Sequence, residues 1–132
     1  MQVHEGGCLC GRVRFRSIAA PLDSGYCHCR MCQKNSGAPV VAYVEFPATT
    51  ISWTGGVPNE YQSSVYGRRM FCAACGSFLA FRSEQDPSTI VINTASFDVP
   101  SAFPPAKHIF TDSRVGWFEI HDSLQRYPAG AR

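Results

Sequence analysis

This sequence predicts a mainly β protein with one short helix, on three observations. Its 11 glycines and 9 prolines fall as punctuation along all 132 residues rather than in one linker. Between them lie short runs rich in β-branched and aromatic residues, several with strict period-two alternation. Seven cysteines stand in three tight groups, far apart in the chain, that could clip such strands together.

The elements follow in order. "RVRFR" (Arg12 to Arg16) alternates, with Val13 and Phe15 on one face and three arginines on the other. "CHCRMC" leads into the only good helix candidate, from about Cys29 to Ser36. "VVAYVEF" (Val40 to Phe46) reads as a strand with Val40, Ala42, Val44 and Phe46 on one face. "TISW" (Thr50 to Trp53) follows a proline-containing turn. "SVYG" to "RRMFC" reads as a hairpin turning near Gly67. "SFLAFR" (Ser77 to Arg82) and "TIVINT" (Thr89 to Thr94) are the clearest buried strands, and the proline-rich run from Phe97 to Pro105 reads as irregular. No linker or repeat divides the chain, so residues 1–132 are expected to form one domain.

Composition narrows the function classes. A net charge of +2 gives no argument for nucleic-acid binding. No run approaches the roughly 18 apolar residues of a membrane helix, so no membrane role is expected. The start "MQVHEGGCLC" has neither a basic nor an apolar segment of the secretory kind. A reducing, cytoplasmic setting is therefore expected, where clustered cysteines are more often metal ligands or catalytic groups than disulfides. Seven is also an odd number for pairing.

"CLCG" and "CAACG" are two knuckles, each closed by a glycine, Gly11 or Gly76, whose backbone can turn tightly and whose N–H could point at a thiolate. Two knuckles from distant parts of a chain can make a closed four-thiolate zinc site, so Cys8, Cys10, Cys72 and Cys75 are the expected structural ligands. An iron–sulfur cluster is the competing occupant, and the knuckle form favours zinc.

The middle group supplies only Cys27, Cys29 and Cys32. Three protein ligands and one open position are the pattern of a catalytic zinc. A divalent ion with three thiolates keeps one net negative charge, so it should acidify water poorly. It can still hold a substrate thiolate at neutral pH. Arg30 and Lys34 are close enough in sequence to offset the negative charge, and a helix N-terminus would add partial positive charge. His28 could instead close the site as a fourth ligand, although a histidine between two ligands usually points the other way.

The segments "GGCLCGRVRF", "CHCRMCQKNSGAP", "FCAACGSFLAF" and "WFEIHDSLQRYP" resemble the glutathione-dependent formaldehyde-activating enzyme family, whose domain is shared with centromere protein V. The order and spacing of all seven cysteines carry that resemblance. It implies a β-tent of antiparallel sheets with zinc knuckles, and two zinc ions per chain. Cys8, Cys10, Cys72 and Cys75 would hold the structural ion, and Cys27, Cys29 and Cys32 the catalytic one. It implies a carbon–sulfur lyase that joins glutathione, or a similar small thiol, to formaldehyde or another small aldehyde.

Other residues remain candidates at this level. His28, His108 or His121 could protonate the adduct's oxygen. Arg12, Arg14, Arg16, Arg68 and Arg69 could meet a thiol's carboxylates or be a solvated strand face. Trp117 and Phe118 could close a cleft, but the expectation is that they are core aromatics. The competing class is a non-catalytic zinc module that binds a protein or nucleic acid through its arginines.

Overall fold

The computed structural model describes residues 2–131 and is mainly β. Its strands are β1 (His4–Gly7), β2 (Arg14–Ser17), β3 (Asp23–Cys27), β4 (Val41–Pro47), β5 (Ile51–Trp53) and β6 (Asn59–Gln62). They continue with β7 (Gly67–Phe71), β8 (Phe78–Ser83), β9 (Asp86–Asn93), β10 (Lys107–Ile109) and β11 (Gln125–Tyr127). One α-helix, α1 (Arg30–Ser36), follows β3, and short 3-10 turns fill the connections.

Two sheets result. A small antiparallel sheet runs β1-β2-β5, and a larger one runs β11-β10-β3-β4-β9-β8-β7-β6. The larger sheet is antiparallel through its middle, but β10 pairs parallel to both β3 and β11. The sheets share one apolar core. Phe15 from β2 packs with Val44, Phe46, Leu79 and Ile92 of the larger sheet and with Phe97 and Phe103 of the proline-rich segment. Phe15 meets Phe97 edge-on at 5.0 Å and Trp53 at 5.9 Å. Burying side chains of this size contributes roughly 1.5–3 kcal/mol each and ties the small sheet to the large one.

β4 departs from its expected alternation because it is central. Val44 and Phe46 enter the main core, while Tyr43, on the opposite face, packs with Cys27 and Ile109 in a second apolar cluster. That second cluster carries Cys29 and Cys32 at its margin. The expected hairpin exists, but its first arm is β6, paired with β7 from Asn59↔Phe71 to Gln62↔Arg68. "SVYG" supplies the turn and the first residue of β7 rather than a strand. Ser64 Oγ accepts the Gly67 N–H at 3.0 Å and shapes that turn.

β3 was not foreseen, because "DSGYC" carries a glycine in its centre. Gly25 is there for clearance. A Cβ at this position would lie 2.8 Å from Tyr43 Oη and 2.9 Å from the Lys107 carbonyl, so only glycine lets β4 and β10 close on both sides. This packing sets Cys27, the last residue of β3, beside Ile109.

Candidate metal centres

The first cluster is built from two loops that face each other. The Cβ-free backbones of Gly11 (φ 80°) and Gly76 (φ 78°) turn the knuckles through the left-handed region. Their N–H groups donate to the carbonyls of Cys8 (3.1 Å) and Cys72 (2.7 Å), not to sulfur as the sequence suggested. The sulfur of Cys8 accepts from the Val13 N–H at 3.2 Å instead. Ser77 bridges the knuckles: its hydroxyl accepts from the Leu9 N–H at 3.0 Å and lies 3.2 Å from Cys75 Sγ. That hydroxyl contact leads the causes that lower the Cys75 thiol to about 5.

The ligand atoms of Cys8, Cys10, Cys72 and Cys75 all lie within 4.8 Å of one another, a set that could hold a metal ion. Cys8 and Cys10 sulfurs are 3.6 Å apart, and those of Cys10 and Cys72 are 3.8 Å apart. Sulfurs about 2.3 Å from a tetrahedral zinc lie about 3.8 Å apart, close to these two separations. None of the seven cysteines is paired in a disulfide.

The second cluster comes from one continuous stretch. β3 delivers Cys27, the N-cap of α1 delivers Cys29, and the first turn of α1 delivers Cys32. Cys29 is the N-cap residue of α1, and its sulfur accepts the Cys32 N–H at 3.2 Å. With seven residues, α1 offers this one bond rather than a large dipole. Cys27 and Cys32 sulfurs are 3.4 Å apart, and the three ligand atoms again lie within 4.8 Å of one another. Among the described residues, no fourth histidine, cysteine or carboxylate completes this set. Cys27 is buried, while Cys29 and Cys32 are only partly covered. Hydrogen bonding with Cys27, then Cys32, pulls the Cys29 thiol far below the ordinary cysteine range, and the same contact with Cys29 pushes Cys27 up.

The positive partner of this trio is Arg69, not Arg30 or Lys34. Arg69 Nη1 donates to Cys32 Sγ at 3.6 Å. Arg30 instead bonds the side chain of Gln33, and Gln33 Nε2 donates to the His28 carbonyl (2.7 Å) and the Ser113 carbonyl (3.0 Å), fixing the turn between Cys27 and α1.

His28 points away from the sulfurs and is fully buried. Its Nε2 lies 2.9 Å from His108 Nδ1, and His108 Nε2 lies 2.9 Å from Asp122 Oδ2. The carboxylate can only accept, so His108 donates from Nε2; with His108 neutral, its Nδ1 accepts from His28 Nε2. The chain thus holds in place the residue between two of the trio's cysteines. Burial, then the charges of His108 and Arg114, lowers the pKa of His28. His121 lies apart from this chain, exposed beside Glu119. Sequence reading missed Asp122 altogether; its only signal was a carboxylate near the end of the chain, which marks no chemistry by itself.

Three of the five candidate arginines already have carboxylate partners. Arg14 pairs bidentately with Asp98 (2.9 and 2.5 Å), Arg16 with Glu5 (3.5 Å) and Arg68 with Glu84 (2.9 Å). The expectation for Trp117 is corrected: it is 75 % exposed and lines a groove with Arg30, Lys34 and Pro39. Its neighbour Phe118 does turn inward, with its ring 6.0 Å from that of His28. A second cleft, of about 550 Å³, separates the first knuckle at Cys8 and Leu9 from Asn35 and Ser36 of α1.

Fold and sites together define a small β protein organised around two thiol clusters, one of four and one of three, each suited to a thiophilic metal ion. The chain belongs to the glutathione-dependent formaldehyde-activating enzyme family, whose sequence profile matches residues 3–113. The segment "WFEIHDSLQRYP" lies beyond that match. A Halomonas elongata protein provisionally named glutathione-dependent formaldehyde-activating enzyme is 28% identical over 130 residues, covering 92% of this chain and 83% of its own. An uncharacterized lyase of Schizosaccharomyces pombe is 29% identical over 97 residues, covering 74% of this chain and 70% of its own. A crystal structure of a Rhodobacter sphaeroides protein shares the fold, with a TM-score of 0.60 at 21% identity, over 71% of this chain and 87% of that one. None of the helices is long and apolar enough to cross a membrane, among the described residues.

Proposed function

We propose that this chain is a two-zinc carbon–sulfur lyase that joins a small thiol, such as glutathione, to formaldehyde or another small aldehyde. The observation that carries the reading is the three-cysteine set, with no fourth ligand among the described residues, beside a complete four-cysteine set. In this reading Cys8, Cys10, Cys72 and Cys75 hold a structural zinc. Cys27, Cys29 and Cys32 hold the second ion and leave one position for the substrate's sulfur. When bound, zinc supplies the Lewis acidity that keeps a coordinated thiol deprotonated at neutral pH.

The protein's own part is positional. Gln33 and the His28–His108–Asp122 chain hold the Cys27-to-Cys32 turn, and with it the three thiols that would hold the ion, in one geometry. The thiolate sulfur forms a bond to the aldehyde carbon, the carbonyl π pair moves to oxygen, and that oxygen takes up one proton to give the hydroxyalkyl thioether. Family membership and a relative named as a lyase support this class of reaction.

The competing module reading has less support from the arginines that motivated it. Arg14, Arg16, Arg68 and Arg82 each pair with a carboxylate of this chain rather than standing ready for a polyanion. Exchange spectroscopy of glutathione and formaldehyde, with and without the zinc-loaded protein, tests the proposal. The expected result is accelerated exchange that disappears in Cys29→Ala. Exchange equal to the spontaneous rate, or unaltered by that substitution, would defeat it.

A further inference from the structure

Arg69 stands out among the arginines of the sheets. Its neighbour Arg68 reaches the surface and pairs with Glu84, and Arg82 pairs with Glu60. Arg69, on the other face of β7, is only 7 % exposed. No carboxylate pairs with it among the described residues, its Nε has no hydrogen-bond partner, and the guanidinium carbon rests 5.0 Å from the centre of the Phe81 ring. Among the described residues its side chain has one polar contact, the sulfur of Cys32, to which Nη1 donates at 3.6 Å.

A buried guanidinium is always charged and needs a counter-charge nearby. Here the anionic groups that can provide it are thiolates. A divalent ion in the trio would leave one net negative charge, and one guanidinium cancels it. Neutral thiols would leave Arg69 buried without a partner, a strongly unfavourable state.

We propose that Arg69 is the counter-ion of the second centre: its fixed charge makes the metal-loaded trio neutral, and so favours an incoming anionic sulfur at the open position. This rests on reading the trio as a metal site, but not on the reaction assigned to it. Arg69 is a positioning and charge-setting residue, one step behind the ligands. β7 also connects the two centres, since it runs directly from Arg69 to Phe71 and into Cys72 of the first cluster. The strand thus brings the counter-ion to one site and a ligand to the other.

The test uses cobalt(II) in place of zinc in the full chain, with chelator competition to read each centre's affinity. Wild type, Arg69→Lys and Arg69→Gln are compared; glutamine keeps hydrogen-bond donors without charge, and lysine keeps charge without the fork. The four-sulfur cobalt spectrum of the first centre reports, in the same sample, that each variant is folded. The expected result is a second-centre cobalt affinity lowered by about 10- to 100-fold in Arg69→Gln and largely restored in Arg69→Lys. The sulfur-to-cobalt charge-transfer band of that centre should move to lower energy in Arg69→Gln, because its thiolates lose a neighbouring positive charge. Titrating glutathione should perturb the second-centre spectrum at much lower concentration in wild type than in Arg69→Gln. Equal affinities and bands in wild type and Arg69→Gln would overturn the counter-ion role while leaving the metal site standing. Lysine behaving like glutamine would overturn it too, because charge would not be the cause. Uptake of a single cobalt by wild type would remove the site itself.

Discussion

The two sulfur clusters use the same side chain for opposite ends. The four-cysteine cluster joins residues 62 positions apart, Cys10 and Cys72, and so closes a loop through most of the sheet. Its two left-handed glycines and the bridging Ser77 hold the knuckles face to face. The three-cysteine cluster spans only Cys27 to Cys32, so holding an ion there closes almost no chain. Its supports come from afar instead: Arg69 from β7, His108 from β10 and Asp122 from the segment before β11. On the proposed reading, ligand count and loop length separate a site that holds a fold from one that a fold holds.

The largest break in that comparison should come from Cys72→Ala. Structural zinc binding has an apparent strength of about 10–16 kcal/mol in small peptides, against about 5–15 kcal/mol for the stability of a whole domain. The variant should lose its cooperative thermal transition by circular dichroism, and a strong chelator should do the same to wild type. A melting curve unmoved by either would mean that the knuckles carry no metal.

Cys29→Ala should behave otherwise. We expect metal content to fall from two ions per chain to one, with the melting transition retained. Loss of the fold in this variant would erase the distinction between the two clusters.

Gly76→Ala sharpens the comparison at lower cost. A Cβ there meets nothing within 4 Å, so the penalty is conformational alone, about 1–2 kcal/mol for a left-handed residue. It should lower the melting temperature by several degrees and leave the second cluster's metal affinity unchanged.

The smallest effect belongs to Asp122→Asn, read as a pH profile. The hydrogen bond from His108, ahead of other causes, lowers the Asp122 pKa below the usual carboxylate value. A lowered carboxylate adds stability that is present above its unfolded pKa and lost as pH falls through its folded one. The wild-type advantage over the variant in urea midpoint should therefore hold near neutrality and vanish in the acid range. A difference that persists below the carboxylate range would show that the ionised group is not its source.

Much of this was legible in one dimension. Alternation placed Val13 and Phe15 in the core, and short apolar runs marked β8 and β9, because such patterns report burial in a sheet. Cysteine spacing separated a set of four from a set of three. What escaped had no local signature. "SVYG" has strand composition yet turns, because Ser64 caps Gly67. Trp117 is large and apolar, and still lies on the surface beside Arg30 and Lys34. β10 is three residues long with a lysine in it, and it becomes a strand because β3 presents a free edge to it.

The sequence by itself determined the β class, the two thiol clusters and the left-handed knuckles, since each depends on residue type within a few positions. Tertiary structure alone decided which charges face the open trio. Arg30 and Lys34 are neighbours of Cys29 and Cys32 along the chain, yet Arg69 is the one in contact, 37 positions from Cys32. Electrostatic energy depends on distance and solvent exposure in space, and both are set only when β7 and β3 take their places in the same sheet.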